Sequence, residues 1–420
     1  MILNCMGLAM KNKVLAVTLA AAFGFNGTAF ADASIEDKIA VMQEELEHLK
    51  LQMAQSEKSR SGGIQGFVDR TTIGGYGELH YNNFGGDVPP GKTRKADEVD
   101  FHRFVLFFGH KFNDWISFKS EFELEHAVSG EGKKGEIELE QAYLDFNINR
   151  QLNAKAGVFL IPLGMLNETH EPPTFYGVER NQIETRIIPT TWWEAGLGLY
   201  GEVLPGLNYQ AGLTSSLNAA KYKSDFSNAV RDGRQKVSEA PAENIGFSGA
   251  LNYTGVPGLL LGAALFTGDT GQDGASNVAL KGVDARLTLW DFHTRYQKDR
   301  IDLRALYAHG HLDDADKLKS LAGINAAEDF YGWYAEAAYH VWKSGDHDLA
   351  PFVRYEKWNT QDKVPANVTA NPYNENNVWT VGANYWLHPQ VVFKADYQKW
   401  DKPDGDKGDK RVDLGLGYMF

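Results

Sequence analysis

The sequence predicts an all-β chain, a sixteen-stranded antiparallel transmembrane β-barrel with a short N-terminal α-helical coiled coil. Three observations predict it. From Thr72 onward, segments of about ten residues alternate apolar and polar side chains, as a sheet does when its two faces meet different solvents. The connections between them alternate short and long, which sorts them onto two rims. The chain ends on a strand in which Val412, Leu414, Leu416, Tyr418 and Phe420 share one wholly apolar face, opposite Arg411, Asp413, Gly415, Gly417 and Met419. Such a strand, apolar up to a terminal aromatic, calls for an apolar medium outside it; lipid with an interfacial aromatic girdle meets that need, and a soluble core is the alternative.

Composition agrees with a barrel. Mean hydropathy is −0.39, and beyond the first 31 residues no run approaches the roughly 20 apolar residues of a spanning helix, which excludes an α-helical membrane protein. Aromatics nevertheless make up 12% of the chain and glycines number 43, as suits a sheet apolar only on alternate residues.

Residues 1–31 read as a signal peptide: Lys11 and Lys13, an apolar run from Val14 to Phe25, and the small-residue site Ala29-Phe30-Ala31. Cleavage there removes Cys5, the one cysteine, so no disulfide is expected in an exported chain. The remainder carries 40 basic and 55 acidic residues, a balance that implies no nucleic-acid partner. In residues 32–60, Ile35, Ile39, Met42, Leu46, Leu49 and Met53 fall at alternating spacings of 4 and 3, the seam of a coiled coil. One such helix is marginal alone, so self-association is expected, as a trimer because Ile occupies both early core positions. A lone amphipathic helix on a membrane or on the barrel is the alternative. Residues 61–71, opening with Ser61-Gly62-Gly63, read as a linker, and 72–420 as the barrel.

The sixteen segments are approximately 72–82, 99–111, 115–126, 136–148, 153–161, 192–203, 206–215, 243–254, 258–267, 282–297, 300–310, 330–342, 348–359, 376–388, 390–400 and 410–420. Long polar connections lie near 83–98, 127–135, 162–191, 216–242, 268–281, 311–329, 360–375 and 401–409, with short turns between. All fourteen prolines fall in connections or at strand ends, where no ladder bond is lost.

A conducting barrel needs no catalytic group; what matters is the lumen at its narrowest point. The third long connection, Pro162 to Thr191, is the longest and carries Leu163, Met165, Leu166, Phe175, Tyr176, Ile183, Ile187 and Ile188. A loop so apolar packs on something. The inner barrel wall is one place, which puts Glu168, Glu171, Glu179, Arg180, Glu184 and Arg186 beside the passage; a trimer neighbour or the outer mouth is the other. Strand parity adds Lys119, Glu121 and Glu123, and Arg286, Arg304, Arg354 and Lys394 with their neighbours Asp284, Asp302, Glu356 and Asp396. Basic groups would draw anions and acidic ones cations, while any single position can simply keep the wall wet.

No cofactor, metal or catalytic residue is predicted. The stretches Gly268–Gly274 and Asp404–Asp409 have calcium-loop composition without the ligand spacing and terminal Glu. Asn167-Glu168-Thr169-His170-Glu171 lacks the second histidine of a zinc helix, and Gly246-Phe247-Ser248-Gly249 is not a nucleophile elbow.

The runs Glu138-Leu139-Glu140-Gln141-Ala142-Tyr143-Leu144-Asp145-Phe146 and Ala156-Gly157-Val158-Phe159-Leu160-Ile161-Pro162-Leu163-Gly164, then Glu179-Arg180 and the strand from Trp193, resemble the phosphate-selective porin O and P family of Gram-negative outer membranes. The likeness covers most of 72–420. It implies a sixteen-stranded trimeric porin with an infolded third loop and, in the named members, a basic ladder that passes phosphate. Here the strand of Lys119 is mostly acidic and the chain strongly negative. The expectation is therefore an outer-membrane channel with a periplasmic N-terminal segment, passing small hydrophilic solutes, with anions such as phosphate as the class the resemblance implies. Its expected partners are outer-membrane lipid, two further copies of itself, and barrel-assembly machinery recognising the last strand. An adhesin or enzyme built on the same barrel is the alternative.

Overall fold

The computed structural model describes residues 46, 47, 50, 64–85, 95–401 and 409–420. The signal segment and nearly all of the predicted coiled coil lie outside the described residues; Leu46, Glu47 and Lys50 are helical. Two compact units divide the chain at Asp69 and Arg70. Much of the stretch expected as a linker is a helix, α1, Ile64–Arg70.

The second unit is a closed antiparallel barrel of sixteen strands. These are β1 (Thr71–Gly85), β2 (Glu98–Lys111), β3 (Ile116–Glu125), β4 (Ile137–Asn147), β5 (Asn153–Leu160), β6 (Trp193–Leu204), β7 (Leu207–Ser215) and β8 (Ile245–Tyr253). The second half is β9 (Leu259–Gly268), β10 (Leu287–Lys298), β11 (Ile301–Leu312), β12 (Asp329–Tyr339, resumed at Trp342–Ser344), β13 (His347–Lys363), β14 (Glu375–His388), β15 (Val391–Asp401) and β16 (Lys410–Met419). Each strand pairs with its sequence neighbours, and β1 closes on β16 with Tyr76 opposite Met419 and Gly85 opposite Lys410. Phe420 joins the seam itself, exchanging backbone hydrogen bonds with Gly75 at 2.9 and 3.0 Å.

Alternation produces the predicted outer surface. Ile73, Leu79, Leu106, Phe122, Leu197, Leu213, Phe292, Leu303, Val381 and Leu414 all stand exposed on it, an arrangement stable only against an apolar medium. Pro351 lies inside β13 rather than at its end. It sits beside the interruption of the neighbouring strand between Tyr339 and Trp342, where the missing N–H is tolerated.

The inward face differs from the uniformly polar lumen that parity suggests. Along β11, inward Asp302 and Arg304 near the short turn give way to buried Leu306, Ala308 and Leu312 toward the long-loop rim. With Ala250, Ala264, Phe266, Leu289, Phe330 and Trp358 they form an apolar floor inside the barrel. An apolar floor in a wet lumen must be covered, because about 25 cal/mol is gained per Å² removed from water. The third connection covers it through Ile161, Leu163, Ile183, Ile187, Ile188 and Trp192, and the fourth through Leu217, Tyr222, Phe226 and Val230.

Candidate functional site inside the barrel

The third connection, residues 161–192, is fixed to the wall by hydrogen bonds from strands on several sides of the barrel. Near its start, Gly164 has φ +69°, and a Cβ there would lie 2.5 Å from Glu184 Oε1, so this tight turn depends on glycine. Asp291 of β10 accepts from Gly164 N at 2.9 Å. Further on, Asp396 of β15 accepts from Val178 N at 2.7 Å, Glu356 of β13 from Gln182 N at 2.5 Å, and Asn384 of β14 both accepts from Gly177 N at 3.3 Å and donates to Phe175 O at 3.0 Å. Wall carboxylates thus take up backbone N–H groups that a loop crossing a lumen would otherwise bury unpaired.

Several residues expected to border the passage prove to be anchors of this loop. Arg354 donates to Tyr176 O at 3.1 Å and Glu179 O at 3.4 Å, while paired with Glu336 at 3.1 Å and Glu356 at 2.9 Å. Arg304 donates to Thr174 O at 3.0 Å and lies 5.0 Å from the Tyr176 ring centroid. Lys394 places its ammonium 3.5 Å from the Phe175 ring centroid. All three are buried, so three of the five basic groups that parity places in the lumen hold carbonyls and aromatic rings of the third loop. Glu184 is also buried: it accepts from Met165 N at 2.5 Å, Leu166 N at 2.6 Å, Asn181 Nδ2 at 2.8 Å and the Tyr334 hydroxyl at 3.1 Å. Burial raises its pKa against those bonds.

The remaining predicted residues separate into distinct places. Glu121 and Glu123 are buried beneath the loop, beside His170 and Arg103 respectively. Arg286 lies outside β10 in a connection, exposed and paired with Asp269 at 2.7 Å. The strand begins five residues later than the alternation suggested. Lys119 is half-exposed, 2.7 Å from Asp145. It lines a cavity of about 450 Å³ with Lys155, Glu168, Tyr143, Tyr200 and Arg150. A second cavity, of about 390 Å³, lies among Tyr176, Arg295, Arg304, His340, Asp348 and Trp386.

Glu171, Glu179, Arg180 and Arg186 stay partly exposed. Arg180 reaches His170 O at 3.5 Å, and Arg186 donates to Gln182 at 2.9 Å and Asn228 at 3.1 Å over the Trp358 ring. Two further arginines join them from the fourth connection: Arg231 donates to Thr185 O and Thr190 O, and Arg234 to Thr191 O. Burial, and to a lesser degree Arg234 and Arg180 nearby, pushes the Arg231 pKa well down. The sequence by spacing alone puts this pair in a long connection between strands. The signal available was Tyr222, Phe226 and Val230 at a spacing of four immediately before Arg231.

Glu179 is held from the β1–β16 wall by Arg411 at 2.5 Å, Asn82 at 3.2 Å and His80 at 3.4 Å. Burial opposes ionisation, but His80 and Arg411 win and hold the carboxyl well below its usual range. A carboxylate depressed on folding contributes stability that is present above the unfolded value and lost as pH falls through the folded one. Amide exchange across residues 176–182 is therefore expected to rise, relative to a Glu179→Gln variant, once the pH drops below about 4. An identical acid response in the two proteins would remove Glu179 from this role.

No protein-family model matches the chain. Over 351 residues it is 32% identical to an uncharacterized protein of Aquifex aeolicus strain VF5, covering 80% of this chain and 77% of that one. Solved structures share its fold at low sequence identity. Among them are the outer membrane channel DcaP of Acinetobacter baumannii (14% identity, TM-score 0.54, 83% of this chain and 97% of that chain), an anion-selective porin from Comamonas acidovorans (12%, 0.54, 83% and 99%), and Salmonella typhi OmpF in complex with daunomycin (13%, 0.53, 83% and 97%).

Proposed function

We propose that this chain, which belongs to one family with the Aquifex aeolicus protein, is a porin of a Gram-negative outer membrane that lets small hydrophilic solutes diffuse passively. The observation that carries the reading is the third loop held inside a closed barrel by wall residues from β1, β10, β11, β13, β14 and β15. A lumen narrowed by its own loop and lined by fixed charge selects by size and field. The likeness to channel and porin structures supports the same reading. The protein acts without catalysis, as a trimer exported by a signal peptide, with its N-terminal segment in the periplasm.

Selectivity follows from which charges remain free. A tight phosphate ladder, the property the porin O and P resemblance implies, would use closely spaced basic groups to replace part of the anion's hydration. Here Arg304, Arg354 and Lys394 are occupied by the loop. Arg180 and Arg186, with Arg231 nearby, face a field shared with Glu171, while Glu179 is paired with Arg411 and His80. The reading is a modest preference for anions and dipolar solutes without micromolar phosphate binding.

Planar-bilayer recordings test it. The double variant Arg180→Ala with Arg186→Ala is expected to shift the reversal potential toward cations. A charge about 10 Å from the ion's path in water is worth about 0.4 kcal/mol, so roughly twofold per arginine and fourfold for the pair at low salt. Absence of channels from reconstituted protein would overturn the function. Micromolar phosphate block of chloride current would restore the phosphate ladder.

A further inference from the structure

Beneath the third loop, three ligand-type atoms converge with no aligned hydrogen-bond partner. His170 Nε2 lies 3.3 Å from Glu121 Oε1 and 3.5 Å from Glu140 Oε2. Residue exposures are 3%, 2% and 0% respectively, and Nε2, Glu121 Oε1 and both Glu140 oxygens are buried without a hydrogen bond. Tetrahedral coordination with bonds of about 2.0–2.1 Å to nitrogen and 2.0–2.2 Å to oxygen separates ligand atoms by about 3.3–3.5 Å. The two spacings from Nε2 fall in that range, and the two carboxylates bring ligand oxygens within 4.8 Å of each other.

The surroundings orient each ligand as a metal site requires. His170 Nδ1 is 3.1 Å from Asn167 O, and a proton donated there leaves the Nε2 lone pair facing the carboxylates. Gln141 donates to Glu121 Oε2 at 2.7 Å, which turns Oε1 inward. A bulge in the β3–β4 ladder makes this possible. The register shifts between Glu121 and Phe122, so that Glu140 and Gln141, neighbours in sequence, both serve the inner side.

Charge points the same way. The carboxylates of Glu121, Glu123 and Glu140 are all buried. Arg103 is 3.3 Å from Glu123 but is also engaged with Glu78 at 2.7 Å. A proton on His170 would set one positive charge against Glu121 and Glu140, whereas a divalent cation in its place sets two, and buried carboxylates are costly unless so compensated.

We infer that His170, Glu121 and Glu140 bind a divalent cation of the zinc class, which clips the third loop to the β3–β4 wall. One imidazole nitrogen with two carboxylate oxygens suits Zn²⁺ better than Ca²⁺ or Mg²⁺, whose sites are built from oxygen alone. The cation takes the place of a proton on Nε2. The site is independent of which solute the barrel passes.

Equilibrium dialysis of the whole chain in detergent, stripped with EDTA and titrated with Zn²⁺, tests the site. One Zn²⁺ per chain is expected, with affinity falling at least tenfold in the near-isosteric Glu140→Gln variant and in His170→Ala. Gln141→Leu, which frees the Glu121 carboxylate to turn, should weaken binding by roughly 10- to 100-fold. His102 belongs to two other His and carboxylate groups, with His80 and Glu179 and with Asp100 and His126. His102→Ala is expected to leave stoichiometry and affinity unchanged. Co²⁺ added to the unaltered protein should give the visible bands of a four-coordinate site, a readout that survives if a variant fails to fold. Zn²⁺ binding lost in His102→Ala, equal binding in wild type and Glu140→Gln, or a purely six-coordinate Co²⁺ spectrum would each overturn the assignment.

Discussion

A Leu414→Arg chain is expected to accumulate as unfolded protein while Leu414→Val inserts normally. Leu414 stands outward in the middle of β16, flanked across the ladder by Tyr81 of β1 and Ala395 of β15. Arginine at mid-membrane on a lipid face costs about 2–4 kcal/mol. That lowers the folded-to-unfolded ratio by roughly 30- to 1000-fold, a large part of a marginal total. The position compounds the effect, because β16 closes the barrel on β1 and a closed sheet has no tolerant edge. The yield of heat-modifiable barrel on gels measures it, and a normal yield from Leu414→Arg would contradict the membrane assignment of this face.

Glu184→Leu is expected to release the third loop while leaving the barrel intact. Removing the carboxylate strands the Met165 and Leu166 N–H groups, the Asn181 amide and the Tyr334 hydroxyl. At about 1–3 kcal/mol for each buried orphan, the loss is at least about 4 kcal/mol. The strands make their own ladder bonds and do not depend on Glu184, so the loss falls on the loop. Faster cleavage within residues 162–191 and a larger, noisier single-channel conductance are the expected results. Glu184→Gln keeps one acceptor oxygen and should fall between. Unchanged protease resistance and conductance in Glu184→Leu would show that the apolar contacts of Ile183, Ile187 and Ile188 alone hold the loop.

The structural inference about the loop was partly legible in the sequence. Ile183, Ile187 and Ile188 announced that it packs on something, and the barrel interior was one of two places open to it. Its contact partners were not legible. The two-residue period puts Arg304, Arg354 and Lys394 on the inner face, yet that period says nothing of what lies across the lumen. The local motif around His170 lacks a second histidine, whereas the atoms that meet it come from β3 and β4. Glu140 and Gln141 were beyond parity altogether, since a bulge breaks the alternation between them.

What the sequence by itself determined was everything governed by a local period and a uniform solvent: sixteen strands, their outward apolar faces, the sorting of turns and long connections onto two rims, and the closing role of the last ten residues. Each depends on neighbours two residues apart and on an outer medium that is the same for every strand. The tertiary structure alone decided the interior. There, side chains distant in sequence compete for the same backbone groups across the lumen. Burial and pairing, which alternation does not encode, settle which charges stay free and which are tied up holding the loop.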